Sequence, residues 1–376
     1  LILSRERLGT ILSILGTSIG NKVMAVSYNV CFRVDRERNK LLLSTTDFHA
    51  YITIDYGDLD LTTLEDVPDI FLIDYKQINA IVKASTTENV EFVDGKGAHE
   101  HIKIVTNGEY KFTKWGSPDD FPQADFSYAE VAKWPVPQIK SAWSKAVVAI
   151  SRDVTKIQYQ GVNFDGNFAA SDNRRLSVVM GQADYGGEAV LLPPVFGEVL
   201  KHCKNEVSVG PNTGGNMFIM VCEEIGLVAS IRLIDANFQT YKAVFDKRKP
   251  GAVVTVPKQD ILGAAARLMI FTDQLYKMVK IRVLHTDGDV SIELSITNKN
   301  AGDEIVEATD HDLNGASVQP GGTTCVAEFN YHLDNLLDGV SVTDDPSEVR
   351  LDFQEDGKLW IDEEHFHYLI TRIQPQ

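Results

Sequence analysis

Along most of the chain apolar and polar residues alternate with a period of two, and at long intervals this gives way to a period of three to four. The stretch Gly161–Leu176, GVNFDGNFAASDNRRL, shows the first pattern. Val162 and Phe164 alternate with polar neighbours, Asp165-Gly166-Asn167 supplies turn chemistry, and Phe168 opens a return strand, which predicts a hairpin. Upstream, Ile139–Ile150 has no Pro or Gly and places Ile139, Ala142, Trp143, Ala146, Val147 and Ile150 on one helical face. Downstream, Ala189–Leu192 reads as a short strand. Pro193–Cys203 follows as a short helix opened by proline, with Val195, Phe196, Val199 and Leu200 apolar. Strands are then expected at Glu206–Val209, Met217–Val221 and Leu227–Ile231.

The same order recurs on both sides. Ser4–Ile19 predicts a helix capped by Ser4, and Tyr28–Val34 with Leu41–Thr45 a hairpin. Phe71–Ser85 predicts a strand running into a helix that carries Ile78, Ile81 and Val82, with strands to follow at Val90–Val93, His101–Val105 and Tyr110–Trp115. Ser127–Pro137, with two prolines, reads as a linker. In the last third, Val256–Phe271 has helical spacing, and Lys280–Val283 and Val290–Thr297 flank the turn Thr286-Asp-Gly-Asp289. Asn298–Gly322 is polar and the least ordered by composition. Cys325–Val340 is a third strand-plus-helix, and strands at Val349–Phe353, Leu359–Ile361 and Tyr368–Ile370 finish the chain. Corresponding points lie 117 to 137 residues apart, too far for a solenoid repeat. The expectation is an α+β protein of three similar domains, 1–127, 128–249 and 250–376, each with two helices packed on antiparallel sheets. A hydroxyl residue followed by Asp closes the hairpin in both the first copy (Thr46-Asp47) and the second (Ser171-Asp172).

At 376 residues, 44% hydrophobic and 24% charged, the composition is that of an ordinary globular chain. No apolar run approaches the ~20 residues that span a membrane, and no leader pattern opens the sequence, so the cytoplasm is the expected location. Cys31, Cys203, Cys222 and Cys325 are scattered, without C-x-x-C, and are expected as thiols. His99-x-His101 and His365-x-His367 share the spacing of one strand face, but neither has a third ligand in sequence to make a metal site. Thr286-Asp-Gly-Asp289 lacks the rest of a calcium loop, Pro211-Asn-Thr-Gly-Gly215 lacks the Lys-Ser/Thr of a phosphate loop, and no G-x-S-x-G is present. No catalytic residue, metal or cofactor is therefore expected.

The net charge of −17 argues at face value against a nucleic-acid partner. Taken with their flanks, the six helical segments 4–22, 74–84, 137–152, 194–204, 257–269 and 330–340 nevertheless hold twelve Lys and Arg against six Asp and Glu, so the excess acid lies elsewhere. A locally basic helical face on an acidic chain is compatible with a phosphate backbone, and equally with lysines and arginines that merely solvate an outer face.

Read together, the opening SRERLGTIL, GVNFDGNFAASDNRRLSVV, SIRLIDANFQTY, ARLMIFTDQLYKMVKIRV, FNYHLDNLL and YLITRI resemble the bacterial DNA polymerase III beta subunits, the sliding clamps, over the whole chain. The resemblance implies a divergent bacterial or phage-type member. It implies a head-to-tail homodimeric ring around duplex DNA, with helices lining the hole. Such a ring is a non-catalytic processivity subunit that a clamp loader places and that tethers the replicative polymerase and other proteins bearing a clamp-binding motif. Residue by residue, it implies a partner-peptide pocket of Tyr159, Ser171, Asn173, Arg174, Arg175, Leu176, Tyr276, Asn330, Leu333, Thr371, Arg372 and Ile373. Asn173-Arg174 stands where the family usually has Gly-His, and the tail TRIQPQ replaces a Met/Leu-Pro-rich ending. Lys22 and Arg152 match positions near DNA; with them Lys76, Lys83, Lys140, Lys145, Lys201, Lys204 and Arg267 are the expected DNA-facing set. Ile270 and Phe271 match an apolar pair at the subunit interface, opposite Tyr110 and Phe112 of the neighbouring subunit. The competing reading is a β-rich assembly protein that oligomerises through apolar edges and never touches DNA.

Overall fold

The computed structural model describes residues 1–20, 25–58, 67–95, 101–113, 120–129, 132–181, 187–239, 241–249, 251–272, 277–297, 301–314 and 322–374. Its helices are α1 (Arg5–Leu15), α2 (Tyr75–Ala84), α3 (Val136–Val147), α4 (Val195–Leu200), α5 (Lys242–Asp246), α6 (Lys258–Met269) and α7 (Leu333–Ser341). The chain forms two compact units. One is built mainly from Leu1–Lys140 and Leu192–Leu233, the other mainly from Ser141–Asp184 and Ile234–Gln376.

The helix starts follow from local chemistry. Ser4 accepts the Arg7 N–H at the start of α1, and Asp74 accepts the Gln77 N–H at 2.9 Å at the start of α2, each satisfying a donor the helix itself leaves free. Buried Leu8, Ile11, Leu12 and Leu15 in α1 and Ile78 and Val82 in α2 form the apolar stripes where these two helices pack on each other. Each such side chain contributes roughly 1.5–3 kcal/mol on burial.

In the first unit a four-stranded antiparallel sheet runs in the order Ile2–Ser4, Asn89–Gly95, His101–Val105, Glu109–Thr113. An eight-stranded sheet runs Ile70–Asp74, Asn29–Asp35, Lys40–Thr46, Ala50–Asp58, Leu227–Arg232, Met217–Cys222, Glu206–Pro211, Ala132–Pro135. The seam is the antiparallel pairing of Ala50–Asp58 with Leu227–Arg232, which joins strands from the first and middle thirds of the sequence. Ser127–Pro137 is accordingly not a free linker. Tyr128 bridges to Asn212, and Ala132–Pro135 is the edge strand, its Trp134 buried between Phe196 and Phe218. A proline is tolerated there because an edge strand has no outer partner.

The second unit repeats the plan. A nine-stranded sheet runs Val190–Leu192, Val162–Phe164, Phe168–Ser171, Arg175–Val179, Phe366–Thr371, Lys358–Asp362, Glu348–Phe353, Ala252–Pro257, Asp310–Asp312. Its seam pairs Arg175–Val179 with Phe366–Thr371. A four-stranded sheet runs Ala301–Glu307, Asp289–Thr297, Met278–Thr286, Thr323–His332, and α6 packs on α7. Close approach of α7 to the large sheet needs Gly339, where a Cβ would collide with the ring of Tyr368. Part of the polar stretch expected to be unordered is thus strand, because Ala301–Glu307 pairs along its length with Asp289–Thr297; residues 298–300 and 315–321 lie outside the described residues.

Candidate partner pocket and basic helices

The residue pair Ser171-Asp172 builds a turn. Ser171 Oγ accepts the Asn173 N–H at 3.0 Å, and Asp172 Oδ1 accepts those of Arg174 and Arg175 at 2.8 and 3.0 Å. Asn173 takes a positive φ of 77°, which a short amide side chain tolerates well. Thr46-Asp47 makes the same turn in the first unit, with Thr46 Oγ1 accepting from Phe48 (φ 68°) and Asp47 Oδ1 from His49 and Ala50. The recurring sequence signature is one turn, used before each seam strand.

Arg175 leaves this turn inward and is only 8% exposed. Its Nε donates to Asp172 at 3.0 Å, and its Nη1 donates to Asp338 on α7 and to the Tyr368 hydroxyl at 3.3 Å. It is a strut between turn, helix and sheet. The turn also holds the tail, since the Arg174 carbonyl accepts both the N–H and the hydroxyl of Thr371, at 2.8 and 2.9 Å. Two residues on, the Ile373 N–H donates to the Asn330 carbonyl at 2.7 Å. Ser171, Asn173, Arg174, Arg175, Leu176, Asn330, Thr371 and Ile373 are therefore one neighbourhood. Arg372 is exposed, its stem lying against Gly357. Leu333 is fully buried at the start of α7 and belongs to the core. Tyr276 lies outside the described residues.

Beside this turn is an apolar shelf that sequence reasoning missed. Ala169, Leu176, Val178, Tyr241, Trp360 and Leu369 form a buried cluster, with Phe238, Val244 and Phe245 packed on it and half exposed. Tyr159 meets Phe238 edge-on at 6.4 Å. The Tyr241 hydroxyl donates to Asp165 at 2.9 Å and receives the Asn167 amide at 3.0 Å, tying the hairpin turn to the shelf. Arg248 anchors the far end: it lies over the Trp360 ring at 4.7 Å and bonds Asp352 and Asp362. His367 Nδ1 also meets Asp362, at 2.8 Å, so the pairing expected to resemble a metal face serves this network. His99 lies outside the described residues. The missing signal was Phe238–Phe245, which reads as loop because its helix α5 is five residues long.

The expected DNA-facing cations divide by environment. Lys76, Lys83 and Lys204 are exposed, and no acidic partner meets them among the described residues. Arg152 is likewise exposed. Lys140 Nζ caps the end of α4 through the carbonyls of Lys201 and Cys203, at 2.8 and 2.6 Å. Lys201 pairs with Glu198, and Arg267 forms two bonds to Glu304 at 2.7 and 2.8 Å. Lys145 does not belong to the set. It is 6% exposed and bonds Asp344 and Glu363 at 2.5 and 3.2 Å, partners that no helical periodicity could show. Lys22 lies outside the described residues.

Ile270, 81% exposed, follows the last turn of α6, and the exposed Phe271 lies over Gly302 on the edge strand Ala301–Glu307, whose other face exposes Ile305. In the first unit the edge strand Glu109–Thr113 exposes Tyr110, while Phe112 is half buried. Both patches thus sit on sheet edges with unpaired backbone groups.

No protein-family model matches the sequence, and no curated protein matches it. Solved structures do match in fold. The DNA polymerase III subunit beta of Pseudomonas aeruginosa superposes with a TM-score of 0.82 at 16% identity, covering 100% of both chains. The beta subunit of Thermotoga maritima gives 0.82 at 15%, and the sliding clamp of Bacillus subtilis 0.81 at 14%, each covering 100% of this chain and 99% of its own. A chain of three similar α+β segments, two of whose seams repeat one turn, therefore has the fold of the bacterial DNA polymerase III beta subunits, the sliding clamps.

Proposed function

We propose that this chain is itself a sliding clamp: two copies close head to tail around duplex DNA and tether a replicative polymerase and other partners for processive synthesis. The observation that carries this reading is the fold match across the full length of both chains. The two apolar sheet edges support it. A strand edge exposing Tyr110 and Lys111 on one copy suits an edge exposing Ile305, Asp303 and Glu307, with Ile270 and Phe271 beside it, on the next. A heterologous contact of this kind closes into a ring when the rotation per copy allows it. Exposed Lys76, Lys83, Arg152 and Lys204 supply cations for a backbone read without regard to sequence. Domains 1–127, 128–249 and 250–376 are the proposed repeats. The protein is expected to remain on closed circular DNA after loading and to slide off once the circle is cut. Equal loss from both forms would favour the assembly-protein reading.

The proposed partner pocket is the shelf with the turn Ser171–Leu176 as its rim, an apolar groove for an extended peptide with one or two large apolar anchors. Val244→Asp is expected to weaken binding of such a peptide about a hundredfold, with thermal unfolding followed in parallel because Val244 is half-buried on α5. Fluorescence anisotropy with a labelled peptide ending in adjacent Leu and Phe checks this, and unchanged affinity would remove the shelf from the pocket.

A further inference from the structure

A cleft of about 490 Å³ opens in the second unit between the end of the α3 segment, the Ser171–Leu176 turn and the start of α7. Its lining includes Arg152, Arg174, Arg175, Lys277 and His332, together with Asp172, Asp334 and Asp338. The acids are already engaged. Asp172 and Asp338 hold Arg175, and Asp334 holds Lys277 at 2.9 and 3.1 Å. Arg152 and Arg174 have no carboxylate partner among the described residues. With His332 neutral, the cleft keeps one positive charge in excess, in a chain of net charge −17.

Asn335 also lines the cleft. Its side chain is only 7% exposed and makes no hydrogen bond among the described residues. The Asn335 amide opens to the solvent of the cleft rather than being sealed off, so a ligand that accepts from it has a ready place. Asn335 lies in the first turn of α7, a nine-residue helix with no side-chain cap at His332; the Leu333 N–H donates to the Lys277 carbonyl at 2.8 Å, and the N–H groups that follow it, with the helix dipole, favour an anion. His332 Nδ1 is buried without a partner as well.

From these groups we infer that the cleft is a site for a phosphoryl group, held by Arg152, Arg174 and the Asn335 amide at the N-terminus of α7. Two guanidinium forks and an amide N–H match the several acceptor oxygens of a phosphoryl group. The group is either a nucleic-acid phosphodiester or a free oligophosphate. The site shares the Ser171–Leu176 turn with the rim of the proposed pocket but none of the shelf's apolar residues, and it does not require the chain to encircle DNA.

His332 reports occupancy. Burial lowers its pKa; Asp334 acts in the opposite sense, and Arg174, Lys277 and Arg175 lower it further. A bound phosphoryl group offsets those cations, so it raises the His332 pKa, and by linkage its own affinity rises as pH falls. The test is NMR titration of the His332 imidazole in the full chain with pyrophosphate. Saturable binding, an upward pKa shift, and tighter binding at pH 6 than at pH 8 are expected. Arg152→Gln with Arg174→Gln should weaken binding at least about tenfold, as should Asn335→Asp, which keeps the side-chain shape and repels an anion. The exposed arginines make the first variant safe for folding, and circular dichroism checks the second. Competition by a short single-stranded oligonucleotide identifies the phosphodiester as ligand; pyrophosphate binding without competition identifies a free oligophosphate. No saturable response of His332, or a response indifferent to both variants, would overturn the site.

Discussion

With Ile270 and Phe271 both changed to Asp, light scattering should give the mass of one 41.7 kDa chain at micromolar concentration, where the parent protein, as the proposed two-copy ring, should give twice that value. Ile270 is 81% exposed at the end of α6, so its substitution removes little packing within the chain, and Phe271, 40% exposed, lies over Gly302. In the proposed ring both side chains are buried against the neighbouring subunit. Losing two apolar anchors costs roughly 3 kcal/mol per interface or more, before the penalty of burying two carboxylates is added. A closed ring of two copies has two identical interfaces, so the loss counts twice and dimerisation weakens by about ten-thousandfold. An unchanged mass would place the subunit contact elsewhere, and a monomeric parent at every concentration would argue against a ring that closes unaided.

The second large effect is on the folded state. Arg175→Met should lower stability to denaturant by about 3–5 kcal/mol, the usual cost of removing one partner from a buried ionic cluster. Asp172, Asp338 and Tyr368 all lose the guanidinium at once, Asp172 keeping only its backbone donors, and Asp338 ties α7 to the seam. Its neighbour provides the contrast. Arg174 has an exposed side chain, and Arg174→Ala should change stability by no more than about 0.5 kcal/mol, because its contribution to the tail comes from its carbonyl. Equal effects from the two substitutions would contradict the role given to Arg175.

Both expectations depend on information that is uneven along the sequence. Helices α1, α2, α6 and α7 were legible because their buried faces repeat at three and four residues, and α1 and α2 also open on a capping side chain, Ser4 and Asp74. The repeated hydroxyl-Asp pair was legible too, and proved to mark the turn before each seam. The shelf was not. Its strands come from residues near 169–178 and 360–369, and the five-residue α5 that covers it is too short to show a period. The fate of Lys145 was equally hidden, since it is decided by Asp344 and Glu363, 199 and 218 positions away. The linker reading of Ser127–Pro137 failed because two prolines suggest an interruption, whereas Pro135 terminates an edge strand. Local chemistry thus announced turns and helix starts, while the cluster and the cleft depend on pairings that only the folded chain creates.

The seam between Arg175–Val179 and Phe366–Thr371 also governs how the protein is made. A ribosome adds about 5–20 residues per second, so the strand Arg175–Val179 emerges some 10–40 s before its partner exists. During that interval Leu176, Val178 and Val179 stand at an open sheet edge, the kind of surface that recruits strands from other nascent chains. The first seam closes once Leu227–Arg232 is synthesised, but the second must wait a further 134 residues or so for Phe366–Thr371. Newly made protein should therefore depend on holdase chaperones until Phe366–Thr371 has emerged, and shortening the chain before Phe366 should yield insoluble product even though every residue of the first unit is present.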